Sequence, residues 1–433
     1  MTCPTLPGLL KARPFLTMHP QAGLCFEGVA LHEIAARFGT PTYVYGAQTL
    51  RARFAALQEA FAAQNLPMHI HYAVKANDHL AILALFRELG AGADVVSLGE
   101  FLKARHAGLP AQNIVYSGVG KAASELSAAL AAGIGQINVE SAEELEMISA
   151  LASAQGVIAP VALRMNPDVD AGTHAKITTG LADNKFGINA ADIPSLYAHA
   201  SRLPGIRLRG LALHIGSQIL SPTPYRQAYS KAAAMVRQLR ATGLQIEVLD
   251  LGGGLGIGYQ DEPDFCARTF ASVVHETCAN LNVQLMMEPG RYLVGPAGLL
   301  LAAVILNKQT SKRFMVLDAA MNDLMRPALY DSWHGILPVA ASAFPAPTLA
   351  TDVVGPICES SDVFAKDRLL PALELGAQVA ILDAGAYGAT MSNNYNARPR
   401  AAAILVDNGQ AHLITPRQTH AALWADELIA PQS

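Results

Sequence analysis

Cysteine is scarce in this sequence. Its five residues, Cys3, Cys25, Cys266, Cys278 and Cys358, are odd in number, far apart and without a C-x-x-C pair. A disulfide framework and a thiolate metal cluster are excluded as expectations, no metal site is expected, and the usage fits a reducing cytoplasm. Runs of one charge are missing too: 31 Lys and Arg stand against 35 Asp and Glu, for a formal net charge of −4. Neither nucleic acid nor a membrane surface is therefore an expected partner, and a small molecule is the better expectation. No apolar run approaches the roughly 18 residues of a bilayer span. The longest, around Val294 to Leu306, contains Gly and Pro and reads as core strand. Residues 1 to 20 include Lys11 and Arg13 but no apolar stretch ahead of a small-residue cleavage site, so no secretory signal is expected. The first 25 residues match no motif.

What is present is apolar and evenly spread. Hydrophobic residues make up 51% of the chain and charged residues 15%, the composition of a globular protein with a large core. Its 433 residues exceed one ordinary domain, whereas a barrel of about 250 residues with a smaller module fits. From residue 43, short β-branched runs alternate with Ala/Leu-rich stretches of helical period, the pattern of repeated βα units. The runs "HYAVK", "ADVVS", "NIVYS", "QINVE", "VALRM", "LALHI", "EVLDL" and "LMMEP" predict eight strands between residues 71 and 289. Ser141 and Glu144 predict a capping box, each satisfying the other's free amide at a helix start.

That count favours an α/β chain with a (β/α)₈ barrel of the TIM type over an open doubly wound sheet, which shares the local pattern. After residue 290 the texture changes to "AAVILNK", "RFMVLDAA", "QVAILDAG" and "RAAAILVDNGQAHLI", strands with few helices between them. The expected division is a barrel over 40–290 and a β-sandwich or β-barrel domain made of 1–39 together with 291–433.

One strand raises a chemical question. In "HYAVKAN", Lys75 stands near the end of an apolar run. Desolvation lowers a lysine's pKa and prepares a neutral amine to attack a carbonyl, while a stem buried with its head in solvent accounts for the heptapeptide equally well. In a barrel all strand ends open onto one face, where active sites lie. Several are chemically loaded: Asp94, Arg164, His214 with Ser217, Gly252 to Gly254, and Glu288 with Gly290 and Arg291. "GGGLGIG" lacks the G-x-G-x-x-G spacing of a dinucleotide site, and Gly120-Lys121 is followed by Ala122 rather than the Ser or Thr of a P-loop. Close backbone approach to a phosphate, with Arg291 nearby, competes here with a plain tight turn.

The motifs "YAVKAN", "HIGSQ", "GGGLGIGY", "EPGRYLV", "CESSDVFAKDR" and "GAYGATMSNNYNARPR", in this order, resemble the pyridoxal-phosphate-dependent decarboxylases of the alanine-racemase-like fold, from about residue 25 onward. The resemblance implies that Lys75 holds pyridoxal 5'-phosphate covalently, that Glu288 faces its pyridine nitrogen and that His214 stacks on the ring. It implies a phosphate site of Ser217, Gly252, Gly253, Gly254, Gly290, Arg291 and Tyr387, with Asp94 and Arg164 as supports. Cys358 resembles the family's proton donor.

The same resemblance assigns the distal end of the substrate to Arg291, Arg326, Tyr330, Glu359 and Tyr387. A pair of arginines for a second carboxylate and a glutamate for a second ammonium imply decarboxylation of meso-2,6-diaminopimelate to L-lysine, the last step of lysine biosynthesis. Relatives acting on ornithine, arginine or carboxynorspermidine, and a racemase, are the alternatives within the fold. A cofactor carrier or a regulatory homologue that kept the fold without activity is the third reading, and Lys75, Cys358 and Glu359 occurring together argue against it. The resemblance further implies a cytoplasmic homodimer in which Cys358 and Glu359 come from the partner chain. The polar stretch 170–187 is expected to be a lid or a dimer contact.

Overall fold

The computed structural model describes residues 4–172 and 185–429. Most of the expected lid, 173–184, lies outside the described residues. The chain divides into two compact units: one holds the residues up to Leu50, Gly258–Pro263 and those from Val294 on, and the other holds Arg51–Ile257 and Asp264–Leu293.

The second unit is a closed barrel of eight parallel strands. In chain order they are Met68–Ala73, Gly92–Val95, Ile114–Tyr116, Gln136–Val139, Ala159–Asn166, Ile206–Ala212, Val248–Asp250 and Gln284–Met287. Each pairs with the next, and the last closes on the first through Leu285↔Met68 and Met287↔Ile70. These are the eight strands expected from the sequence. The two-residue strand Ile188–Asn189 adds to the fifth at Met165 and Asn166. Between strands run helices, four of which start at a side-chain cap, His79, Ser97, Ser141 or Ser221, as where Ser97 Oγ accepts from the amide of Glu100 at 3.2 Å.

The expected capping box at Ser141 forms by half. Ser141 Oγ accepts from the Glu144 amide at 3.2 Å, but the Glu144 carboxylate turns to the Glu140 amide at 2.8 Å and to the buried Lys121 ammonium. A buried cation and a second orphan amide outcompete the cap's own N–H.

The first unit carries a seven-strand path ordered Val363–Pro371, Thr348–Val354, Arg313–Leu317, Gly298–Gln309, Thr42–Gly46, Ala402–Asp407 and Gln410–Thr415, with Gln378–Ile381 also on Gly298–Gln309. Of the apolar run around Val294 to Leu306, the part from Gly298 is strand with its first residues buried, whereas Val294 ends the short helix Arg291–Val294 and Ile305 and Leu306 are exposed. Thr42–Gly46 departs from the expected division, because it lies in this sheet and not in the barrel. It runs antiparallel to Gly298–Gln309 and parallel to Ala402–Asp407, with all five residues buried. A short run buried on both faces reads alike in any central strand, so its period alone does not reveal which sheet takes it.

The N-terminal stretch without a motif is built into the same unit. It forms the helix Leu6–Lys11 and a three-stranded sheet of Leu16–His19, Gly23–Phe26 and Val29–Ala30. Among the described residues no helix is long and apolar enough to cross a membrane.

Candidate active site

The first barrel strand ends at Ala73, and Lys75 sits just past it in the single 3₁₀ turn Val74–Ala76. It is therefore beyond the strand and not inside it, which brings its side chain to the barrel mouth. The register Ala73↔Asp94 sets the neighbouring strand's carboxylate beside it. Lys75 Nζ donates to Asp94 Oδ2 at 2.8 Å, with the lysine side chain 34% exposed and Asp94 fully buried. Asp94 Oδ1 has no hydrogen-bond partner among the described residues, so this ion pair is what offsets the burial of the carboxylate.

Lys75 opens into a cavity of about 410 Å³ lined by Ser117, Asn138, Arg164, His214 and Glu288, among others. On one wall Asn138 Nδ2 lies 3.1 Å from Glu288 Oε1, 3.2 Å from Asp250 Oδ2 and 3.1 Å from Ser117 Oγ. Burial pushes the Glu288 carboxyl well above its usual range, and the nearby Asp250 and Asp94 carboxylates push the same way. Burial also raises Asp250, whose hydrogen bonds to Glu288, Gly252 and Asn138 pull it back. Two carboxyl groups bonded to each other in a dry site hold a proton between them more readily than two charges.

His214 is neutral here. Its Nδ1 accepts from the Gly253 amide at 3.2 Å, and burial, with Arg164 and Lys75 nearby, holds its pKa well below the ordinary value. Arg164 pairs with the buried carboxylate of Glu140, whose other oxygen accepts from the Gly187 amide at 2.7 Å. Arg164 is thereby tied down by Glu140 rather than reaching out alone.

The loop after the seventh strand must be glycine. Gly252 and Gly254 have φ of 66° and 98°, and a Cβ on Gly253 would lie 2.1 Å from the Glu288 carbonyl oxygen. A Cβ on Gly290 would lie 3.0 Å from that of Ala76. In the same unit Arg291 Nη2 donates to Ser217 Oγ at 3.1 Å. Lys75, Asp94, Arg164, His214, Ser217, Gly252, Gly253, Gly254, Glu288, Gly290 and Arg291 thus all belong to the barrel unit and stand at or beside the ends of its strands.

Arg326, Tyr330, Cys358, Glu359 and Tyr387 belong to the other unit. Arg326 and Tyr330 open and close one short helix, Arg326–Tyr330. Arg326 is buried and donates through Nη1 to Tyr259 Oη at 2.6 Å and through Nη2 to Ser332 Oγ at 3.2 Å. Cys358 is exposed, its amide bonded to Asn396 Oδ1 at 3.0 Å. Hydrogen bonds from the Ser361 and Tyr395 hydroxyls hold the exposed Glu359 carboxyl below its usual range. Tyr387 takes φ of 56°, a left-handed backbone that a tyrosine rarely adopts.

Sequence reasoning missed Ser117, Asn138, Glu140 and Asp250. A signal was there: in "QINVE" the polar residues Gln136, Asn138 and Glu140 alternate with Ile137 and Val139, so one face of a barrel strand is polar where packed barrels carry branched apolar residues.

Residues 47–295 match the family described as pyridoxal-dependent decarboxylase, pyridoxal binding domain. The chain is 46% identical over 409 residues to diaminopimelate decarboxylase of Zymomonas mobilis, covering 93% of this chain and 96% of that protein. The corresponding protein of Aquifex aeolicus is 43% identical over 414 residues, 95% of this chain and 97% of its own length. Among solved structures, diaminopimelate decarboxylase from Helicobacter pylori complexed with L-lysine superposes with a TM-score of 0.88 at 37% identity, over 91% of this chain and 98% of that one.

Proposed function

The chain belongs to the pyridoxal-dependent decarboxylases, and on that premise we propose that it converts meso-2,6-diaminopimelate to L-lysine and carbon dioxide. The observation that carries the reading is the single cavity holding both the Lys75 amine and the Glu288 carboxyl. Near-full-length likeness to proteins named diaminopimelate decarboxylase, one of them complexed with L-lysine, supports the choice of substrate.

The barrel residues fit pyridoxal phosphate. A primary amine lies in the cavity, a buried carboxyl that prefers to keep a proton lies on its wall, and a glycine loop packed too closely for any Cβ stands with Ser217 and Arg291 among the strand ends. When bound, the cofactor supplies an electron sink for the electron pair left as carbon dioxide departs.

The chain's own groups have distinct tasks. Lys75 Nζ is the point of covalent attachment, and Asp94 keeps it in place through the 2.8 Å contact. Glu288 would keep the pyridine nitrogen of the bound cofactor protonated, and sharing that proton would remove the cost of leaving a bare carboxylate buried. His214, uncharged and fixed by the Gly253 amide, offers a flat ring face for stacking. Ser217, Arg291, Gly290 and the amides of Gly252 to Gly254 supply phosphate donors, with Tyr387 as a further one and Arg164 as support.

Arg326 and Arg291 take the distal carboxylate, Glu359 the distal ammonium, and Tyr330 and Tyr387 give further hydrogen bonds. Cys358 Sγ would supply the proton that takes the place of the departing carboxylate on the substrate carbon. In this reading the protein is a homodimer whose Cys358 and Glu359 serve the partner's site, which the exposure of both residues supports. It works in the cytoplasm, in keeping with the free thiols of Cys25, Cys266, Cys278 and Cys358. Borohydride reduction of the cofactor-loaded protein followed by peptide mapping tests the assignment: the label is expected on Lys75, and a label on another lysine overturns it.

A further inference from the structure

Arg13 lies where the sequence carries no family motif, yet it is one of the most heavily bonded side chains in its unit. It follows the helix Leu6–Lys11 and is buried. A guanidinium has five N–H donors, and every one of Arg13's is used. Nε reaches both carboxylate oxygens of Asp383, at 3.1 and 3.0 Å. Nη2 donates to Asp383 Oδ2 and, at 2.9 Å, to the carbonyl of Tyr259. Nη1 donates to the carbonyls of Leu9 at 2.9 Å and Gln260 at 3.4 Å.

The two segments that Arg13 clamps meet again at Arg326. Tyr259 Oη accepts from Arg326 Nη1 at 2.6 Å, and the guanidinium carbon lies 4.8 Å from the tyrosine ring centroid. On the other side, the carbonyl of Leu382, next to Asp383, accepts from His334 Nδ1 at 2.7 Å. That bond leaves His334 Nε2 as the ring's acceptor, 3.4 Å from Arg326 Nη1. The rings of Tyr259 and His334 meet edge to face with centroids 5.3 Å apart. The result is a closed circuit: Arg13, Asp383, Leu382, His334, Arg326, Tyr259 and back to Arg13, all within one unit. Asp383 itself has φ of 55°, a left-handed backbone that persists only when its surroundings hold it.

We propose that Arg13 is a positioning residue for substrate recognition. By joining the Tyr259 carbonyl to the Asp383 carboxylate, it fixes the segments that carry two of the groups aiming the Arg326 guanidinium, Tyr259 and, through Leu382, His334, and so sets the geometry offered to the distal carboxylate of a dicarboxylic amino acid. The inference rests on the reading of Arg326 given above. A lysine at position 13 keeps the charge and loses the planar fork, so it releases one clamped segment while still neutralising Asp383.

The test compares the holoenzymes of Arg13→Lys, Arg326→Gln and the double variant in steady-state turnover of diaminopimelate, with the absorbance of the bound cofactor read alongside. Arg13→Lys is expected to raise KM about tenfold while kcat stays within about threefold, the pattern of misaligned binding without altered chemistry. Cofactor absorbance stays unchanged, and the double variant has the KM of Arg326→Gln alone, because Arg13 acts through Arg326. An unchanged KM in Arg13→Lys, losses that add in the double variant, or a KM rise accompanied by equal loss of cofactor overturns the proposal. An unchanged KM in Arg326→Gln overturns the reading of Arg326 itself, a separate result. Should Arg13→Lys not fold, Tyr259→Phe carries the test, since it removes only the hydroxyl that Arg326 binds: a raised KM supports the circuit and an unchanged one overturns it.

Discussion

Lys75 and Asp94 form an ion pair in which one partner is fully buried and the other keeps 34% of its side chain exposed, with Nζ 2.8 Å from Oδ2. The asymmetry matters because Asp94 Oδ1 has no other hydrogen-bond partner among the described residues. The lysine therefore has a structural task, that of compensating a buried carboxylate.

In the cofactor-free protein, Lys75→Ala is expected to lower stability by about 1–3 kcal/mol, less than for a wholly buried pair because Lys75 is partly solvated. Adding Asp94→Asn should restore most of the loss without restoring activity. Urea unfolding of the three proteins checks this. Equal midpoints for the parent and Lys75→Ala would show that Asp94 does not depend on the lysine.

The Asp250 and Glu288 carboxyls both have folded pKa values raised above their unfolded ones, chiefly by burial. A raised acid binds more protons folded than unfolded, so its stabilising effect is complete below the unfolded value and disappears as pH rises through the folded one. Glu100 and Asp323, each pushed to about 7 by burial, add slope of the same sign. These carboxyls push the apoprotein's thermal stability down as pH rises from about 4.5, while His71 and His214, lowered by burial, push it up until about pH 6.5, so the decline should show most plainly above that pH. Asp250→Asn should make that decline shallower than in the parent. Melting curves across the pH range decide it, and a parallel decline in both proteins would show that Asp250 does not contribute.

Glu359 has its carboxyl held in the anionic form by two hydroxyls, from Ser361 and Tyr395, which suits a partner for an ammonium group. Glu359→Ala and Arg326→Ala are each expected to reduce kcat/KM for diaminopimelate by about a hundredfold. Cofactor binding, followed by absorbance, should change little. Matching losses of cofactor and turnover would remove both residues from the substrate's distal end.

The eight barrel strands were legible because each is a short apolar run, many of them β-branched, between turn signals, and helical period separates them. Lys75, Glu288 and His214 were legible through local motifs. Ser117 and Asp250 were not, since they lie at the ends of apolar strands, and Asn138 showed only as part of a polar strand face, because only closure of the barrel brings its Nδ2 within 3.2 Å of Asp250 and 3.1 Å of Glu288. Arg13 was hidden for a related reason: its partner Asp383 is 370 positions away in the chain. Thr42–Gly46 showed strand character but not its sheet, since what decides that is pairing with Gly298–Gln309 and Ala402–Asp407.

The central claim is the substrate, and carbon dioxide release by the pyridoxal-phosphate-loaded protein, measured side by side on meso-diaminopimelate, lysine, ornithine and arginine, tests it most directly. Release from diaminopimelate with lysine as the product, exceeding the other three by at least about a hundredfold in kcat/KM, is the predicted result. Preference for lysine, ornithine or arginine would contradict it.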